Sequence, residues 1–125
     1  MSVPLIYIAG PYSDPDPHQR CVNIHNAWKL GTLVASLGAM PVVPHKCSEH
    51  MDAIQPAQFW IDATLQLMRR CDAVLFASCW MRSAGARGEH AEAERRQMPI
   101  FYTLTECAEW LLPPEECAKR LEAMR

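Results

Sequence analysis

No apolar run in this chain approaches the roughly 20 residues that a bilayer span needs, so a helical membrane protein is not expected. The opening MSVPLIYIAGP has neither a basic leader nor a hydrophobic segment long enough for export, which points to a cytoplasmic protein. No CxxC pair occurs. The six cysteines (21, 47, 71, 79, 107 and 117) lie inside apolar or helical patterns, as buried reduced thiols would. The run HKCSEH offers His45, Cys47 and His50 but matches no standard ligand spacing, so no metal is expected. A polybasic stretch is missing too. The twelve Lys and Arg are scattered, and the densest group (Arg82, Arg87, Arg95, Arg96) is interleaved with acids, so no nucleic-acid partner is expected. Repeats, linkers and composition shifts are absent, and residues 1–125 read as one domain.

What is present is half hydrophobic residues and a net charge of −2, enough to bury one core without staples. Residues 3–9 (VPLIYIA) read as a buried strand aimed at a turn, Gly10-Pro11. The loop YSDPDPH follows, its prolines and aspartates arguing against helix. A helix is expected from Gln19 to Leu37, with Val22, Ala27, Leu30, Leu33 and Val34 at helical spacing and Gly38 closing it. AMPVVPH is a second strand, ended by Pro44, and residues 46–55 are a polar loop. Pro56 can open a helix over AQFWIDATLQLMRRC. DAVLFASCW is a third strand, a helix runs from Gly85 to about Gln97, and PIFYTL is a fourth strand. Residues 105–111 and 114–124 are two terminal helices. Alternating strands and helices imply an α/β fold, a single open, mostly parallel sheet of four to five strands with helices on both faces, Rossmann- or flavodoxin-like. Ligands of such sheets sit at the carboxyl ends of the strands, where strand order reverses. That edge would gather Gly10 to Ser13, the region from His45 onward, and Ser78 to Glu89.

The stretch CWMRSAGARGEHAEAE is the densest in candidates. A small-residue turn, Ser83-Ala84-Gly85-Ala86, runs into a helix whose first acid is Glu89. Near a helix start the macrodipole would keep that carboxylate ionised, and Gly85 and Gly88 would let a ligand approach the backbone amides. An acid in that place also simply stabilises a helix. Asp62 has no propensity advantage inside its helix, so it either faces solvent or is held at a polar site. Asp72 is expected to accept backbone hydrogen bonds where helix gives way to strand. Tyr7 and His45, near the ends of the first two strands, are either core residues or side chains that reach the site. Trp60, Trp80 and Tyr12 are flat rings able to stack on a flat ligand or to pack.

Taken together, IYIAGPYS, CDAVLF, SAGARGEHAEA and MPIF, spanning residues 5 to 102 in that order, resemble the nucleoside 2-deoxyribosyltransferase-like superfamily. That superfamily includes nucleotide N-glycosidases and a small bacterial and phage branch. The resemblance implies that Glu89 attacks the anomeric carbon, that Asp62 assists departure of the base, and that Tyr7 orients the glutamate. It further implies that Ser83 and Gly85 face the sugar or its 5′ group, that His45 matches a histidine of the nucleotide-hydrolysing members, that no cofactor is needed, and that the chain forms a homodimer or larger assembly; Gly10, at the end of the first strand, joins the substrate-binding candidates. Two departures stand out. Pro11, Tyr12 and Ser13 occupy the turn where the nucleotide hydrolases carry phosphate-holding serine and arginine, and Ser83 stands where transferases for free nucleosides often have aspartate. Ser13, Ser83, nearby amides or Arg87 could compensate for the first.

The expected reaction is cleavage of the N-glycosidic bond of a nucleoside or nucleoside 5′-monophosphate through a covalent glycosyl-Glu89, with hydrolysis favoured over base transfer. Two alternatives stand beside it: a non-catalytic nucleotide-binding module on the same fold, and a hydrolase of a larger nucleotide such as a dinucleotide.

Overall fold

A computed structural model describes residues 2–125. Four strands form one sheet in the order β2-β1-β3-β4, every neighbouring pair parallel. They are β1 (Leu5–Ala9), β2 (Met40–Val42), β3 (Ala73–Phe76) and β4 (Ile100–Phe101). Six helices connect and close them: α1 (Pro17–Ser36), α2 (Pro44–Cys47), α3 (Ala57–Arg69), α4 (Ala84–Arg95), α5 (Leu104–Leu111) and α6 (Pro114–Ala123). The expected α/β architecture is therefore the one observed. Among the described residues no helix is long and apolar enough to cross a membrane.

β1 and β3 are buried on both faces, which explains their unbroken apolar runs. Because strand side chains alternate, Ile6, Ile8, Ala73 and Leu75 pack under α1 and α5. Tyr7, Ala9, Val74 and Phe76 face Met68 of α3 and Ala93 of α4 on the other side. Pro41 is tolerated in β2 because that strand is an edge. Asp72 acts as expected: its carboxylate accepts the Leu5 amide at 2.7 Å while its own amide donates to the Leu5 carbonyl, which locks β3 to β1.

Several boundaries differ from the sequence expectation, each for a local reason. The first helix begins at Pro17 rather than Gln19, because Asp16 caps it through the His18 amide and proline needs no amide partner at the first helical position. β2 stops at Val42, and Pro44 instead opens the short α2. β3 is four residues rather than nine. Cys79 turns the chain through a left-handed conformation (φ 68°) and Trp80–Arg82 form a single 3-10 turn. The fourth strand shrinks to two residues because Thr103 is used as the cap of α5, accepting the Glu106 amide. The small-residue turn is already helix: Ser83 caps α4, so Ala84, Gly85 and Ala86 lie inside it. All six cysteines are free, but Cys21, Cys47 and Cys79 are exposed and only Cys71, Cys107 and Cys117 are buried as expected.

Strand order reverses between β1 and β3, since the chain leaves β1 toward β2 on one side and returns to β3 on the other. Such a switch point opens a crevice at the carboxyl ends of the two strands. Gly10 stands there. A Cβ on it would meet the Ala77 Cβ at 3.0 Å, so the two chains leave the sheet almost in contact before they part.

Candidate active site

Two hollows flank that switch point. The one on the α3/α4 side encloses about 760 Å³, within the range of small-molecule sites. Its inner end holds the pair Tyr7 and Glu89. Tyr7 is fully buried in the middle of β1, and its hydroxyl donates a short hydrogen bond to the Glu89 carboxylate from α4. The two residues are 82 positions apart, and the sheet brings them together.

Glu89 is the sixth residue of α4, in its second turn, since the helix starts at Ala84. The macrodipole acts mainly on the first turn, so it does not set the charge of this carboxyl. Burial does. It raises the Glu89 pKa to about 7, offset only partly by the Tyr7 hydrogen bond. The expectation of a permanently ionised glutamate is corrected: near neutrality this group is poised between its two forms. The Tyr7 pKa is pushed well above its ordinary value by burial, then by the nearby Glu89 charge and the hydrogen bond to it, so Tyr7 remains a proton donor.

Gly85 and Gly88 line the hollow beside Glu89. A Cβ on Gly88 would meet nothing within 4 Å, and one on Gly85 only the Ser83 hydroxyl at 3.8 Å, so the space next to the carboxyl is open as the sequence suggested. Ser83 also lines it, though its Oγ is engaged in capping α4. Across the hollow, Tyr12 and Ser13 come from the loop after β1. His45 is buried, and its Nε2 lies 2.8 Å from the Pro11 carbonyl, which fixes Nε2 as the protonated nitrogen. Its pKa is lowered by burial, so the ring is neutral, and Nδ1 is left as an acceptor without a partner. Pro11 thus contributes its carbonyl to His45 and its ring to the neighbouring hollow.

Besides Pro11, two expected residues are not brought to this hollow. Asp62 lies on the exposed side of α3, where Gln58 donates to it at 2.8 Å; Trp60, Ile61, Thr64 and Leu65 are the α3 residues that face inward. A helix turns 100° per residue, so an acid next to an inward-facing isoleucine can still look away. Arg87 is exposed and donates to the Met81 carbonyl at 2.8 Å. In their places stand Asp52 and Arg82, both lining the hollow. Asp52 accepts from the Tyr12 hydroxyl at 2.8 Å and from Arg20 at 3.4 Å. Burial and the Asp52 carboxylate raise the Tyr12 pKa to about 12, which keeps that phenol protonated. Neither Asp52 nor Arg82 carries a distinctive sequence signal. Asp52 lies in a polar loop whose path only the fold reveals, and Arg82 is one of nine arginines, in a group interleaved with acids.

Of the three candidate stacking rings, Trp60 and Tyr12 line the hollow. Trp80 does not. It stacks on His90 with ring centroids 4.3 Å apart and packs against Phe76 and Tyr102. Among the described residues no three His, Cys, Asp or Glu side chains converge as a cation site.

Residues 4–103 match the model of a protein family described as a domain of unknown function (DUF7768). That span is most of the chain, and the chain belongs to this family. No curated protein matches it.

Proposed function

We propose that this member of the DUF7768 family cleaves the N-glycosidic bond of a nucleoside or nucleotide, with Glu89 as the nucleophile. The observation that carries the reading is the Tyr7–Glu89 pair at the inner end of an open, ring-lined hollow. A carboxyl held by one phenol, with no cation beside it, is a reactive group rather than a structural one. The resemblance to the nucleoside 2-deoxyribosyltransferase-like superfamily points to the same residue.

In the first step the ionised Glu89 carboxylate forms a bond to C1′ as the C1′–N bond breaks. The bonding pair leaves with the base nitrogen, which takes up a proton. Tyr7 releases its hydrogen bond from the attacking oxygen to the other or holds it, and in either case keeps the carboxyl aimed. Water then attacks C1′ and gives up one proton to solvent, replacing the one that the base nitrogen drew from solvent; the ester oxygen returns to Glu89 as carboxylate, and the sugar leaves with a free anomeric hydroxyl. Asp52 is the second carboxyl in the hollow and, with the protonated Tyr12 beside it, is placed to support the departing base. Trp60 and Tyr12 supply flat surfaces for that base. The neutral His45 holds the turn after β1 in place through its Nε2 hydrogen bond to the Pro11 carbonyl.

Water enters freely through the open mouth, which favours hydrolysis over transfer to a second base. No cofactor takes part in this scheme. The resemblance also implies a homo-oligomer, and exposed Phe59 on α3 provides apolar surface for a second copy. A cytoplasmic location fits the nucleotide pool this chemistry would draw on.

The test is incubation of wild type and Glu89→Ala with ribo- and deoxyribonucleosides and their 5′-monophosphates, with and without an acceptor base. Base release by wild type only, together with a glycosyl adduct on the Glu89 peptide after rapid quench, is the expected result. Intact substrates with every compound would overturn the reading.

A further inference from the structure

The second hollow, on the α1 side of the switch point, encloses about 660 Å³ and is not used by the chemistry above. It shares Gly10, Ser13, Arg82 and Ser83 with the Glu89 hollow, so the two are lobes of one cleft that divides at the carboxyl ends of β1 and β3. Their linings differ in kind. The α1 lobe contains no aromatic side chain. Its wall is one face of α1, with Gln19, Asn23 and Asn26 at the upper end and Ala27, Leu30 and Leu33 further along. Spacings of 4, 3, 1, 3 and 3 put these six on one stripe of a helix.

Amides above an apolar floor match a flat heterocycle or a nucleoside. Gln19 donates to Asn23 at 2.9 Å and Asn23 to the Tyr12 carbonyl at 3.2 Å, so Asn26 is the amide that reads the polar edge, and the leucines cover a face. A bare sugar would leave Leu30 and Leu33 facing hydroxyls. The charges say what joins the lobes. Arg82 lines both of them and, among the described residues, neither it nor Lys29 on the α1 side makes an ion pair. Asp14, the acid on this side, accepts the Asp16 amide at 2.9 Å and serves the turn before α1. An unpaired guanidinium at the junction, flanked by the hydroxyls of Ser13 and Ser83, is chemistry for phosphoryl oxygens.

We propose that the substrate is a two-part nucleotide, whose scissile nucleoside lies in the Glu89 lobe and whose second nucleoside, joined through a pyrophosphate at Arg82, lies against Asn23, Asn26 and Leu30 of α1. The assignment of which half is cleaved rests on the proposed glycosidic reaction; the two-lobed binding does not. The absence of a phosphate-holding arginine in the turn after β1 is then explained, since Arg82 supplies that function from the other strand.

The experiment uses Glu89→Gln, which binds without turnover, and calorimetric titration. The ligands are the mononucleotides of adenine, guanine, cytosine and uracil, the pyrophosphate-linked homodinucleotide of each, and ADP-glucose and UDP-glucose. For the preferred base the dinucleotide binds about tenfold or more tighter than the mononucleotide. Adding Asn26→Trp, at an exposed position that tolerates bulk, brings the dinucleotide back to mononucleotide affinity. Adding Arg82→Ala weakens all phosphorylated ligands. Circular dichroism verifies that both variants fold. A dinucleotide no tighter than its mononucleotide for every base, no binding by any ligand, or a dinucleotide indifferent to Asn26→Trp overturns the proposal. A nucleotide sugar binding as tightly as the dinucleotide overturns the second nucleoside. Base release by wild type is scored separately. Tight, Asn26-dependent dinucleotide binding without any base release would sink the glycosidic reaction and leave the two-part ligand standing.

Discussion

Glu89 and Glu92 are three residues apart on one helix, and their carboxyls are held in opposite ways. Glu92 meets Arg69 of α3 at 2.7 Å and Arg95 of its own helix, and these two hydrogen-bonded cations lower its pKa. Glu89 meets only the Tyr7 phenol inside the protein, and burial raises its pKa to about 7. The contrast separates two uses of the same side chain. A carboxylate held by two arginines clamps α4 to α3, and its charge is spent on that clamp. One that is buried without a cation stays available to a reacting carbon, at a cost in stability.

The largest test of that contrast is catalytic. Under the proposed reaction, Glu89→Gln lowers base release by on the order of 10⁴-fold or more. Glu92→Gln keeps a measurable rate, because its effect is on the clamp. Parallel single-turnover assays on both variants decide it, and equal losses would mean that the two carboxyls are not divided in this way.

Next comes Tyr7→Phe. Its hydroxyl lowers the Glu89 pKa, so removing it moves the ionisation above about 7. Because the nucleophile must be ionised, kcat/KM of wild type rises with pH through about 7, and in Tyr7→Phe that limb shifts to higher pH. At pH 7 the variant is about 10- to 100-fold slower, and part of the loss returns at high pH. A limb that falls through pH 7 would make Glu89 a general acid instead.

Stability gives a third measurement, with opposite signs at the two sites. In the unfolded chain Glu89 ionises near 4.5, but in the folded protein it keeps its proton to about 7. The folded state therefore binds more protons in that window, and stability falls as pH rises through it. Glu89→Gln removes this penalty, so the variant gains on wild type from pH 4.5 upward, by about 1–3 kcal/mol above pH 7. Glu92 behaves in reverse. Its lowered pKa gives stability that is fully present above 4.5 and lost as pH falls through the folded value, and Glu92→Gln loses that acid-sensitive part. Thermal melts from pH 3.5 to 8.5 resolve both.

The smallest effects separate the aspartates. Asp52→Asn lowers base release by about 100-fold, the lower end of the scale for assistance to a leaving group. Asp62→Asn, on the exposed face of α3, changes it by less than about threefold. The reverse order would return Asp62 to the reaction, and would mean that this face is covered in the working assembly.

Much of the fold was legible because its signals are local. Apolar strand runs, Gly38 after α1 and the alternation of strands and helices needed no tertiary information. Element ends were less legible where one residue serves two purposes, as Thr103 does at the end of an apolar run and the start of a helix, or where proline opens a helix instead of excluding it, as Pro17 does. At the site, Tyr7 and Glu89 were identified through motif resemblance. Arg82 and Asp52 were missed because their positions depend on a left-handed turn at Cys79 and on the loop before α3.

By itself, then, the sequence determined an open α/β sheet, its two double-buried strands, and an unusual glutamate after a small-residue stretch. Those follow from hydrophobic periodicity and backbone chemistry, which act over a few residues. Only the tertiary structure decided that Glu89 lies against Tyr7 and is not clamped by arginines as Glu92 is, that Asp62 looks outward, and that the cleft divides into two unlike lobes. These depend on strand order and helix rotation. A turn of 100° per residue, or a crossover to the other side of β1, changes which groups meet without changing the local pattern that placed them on a helix or a strand.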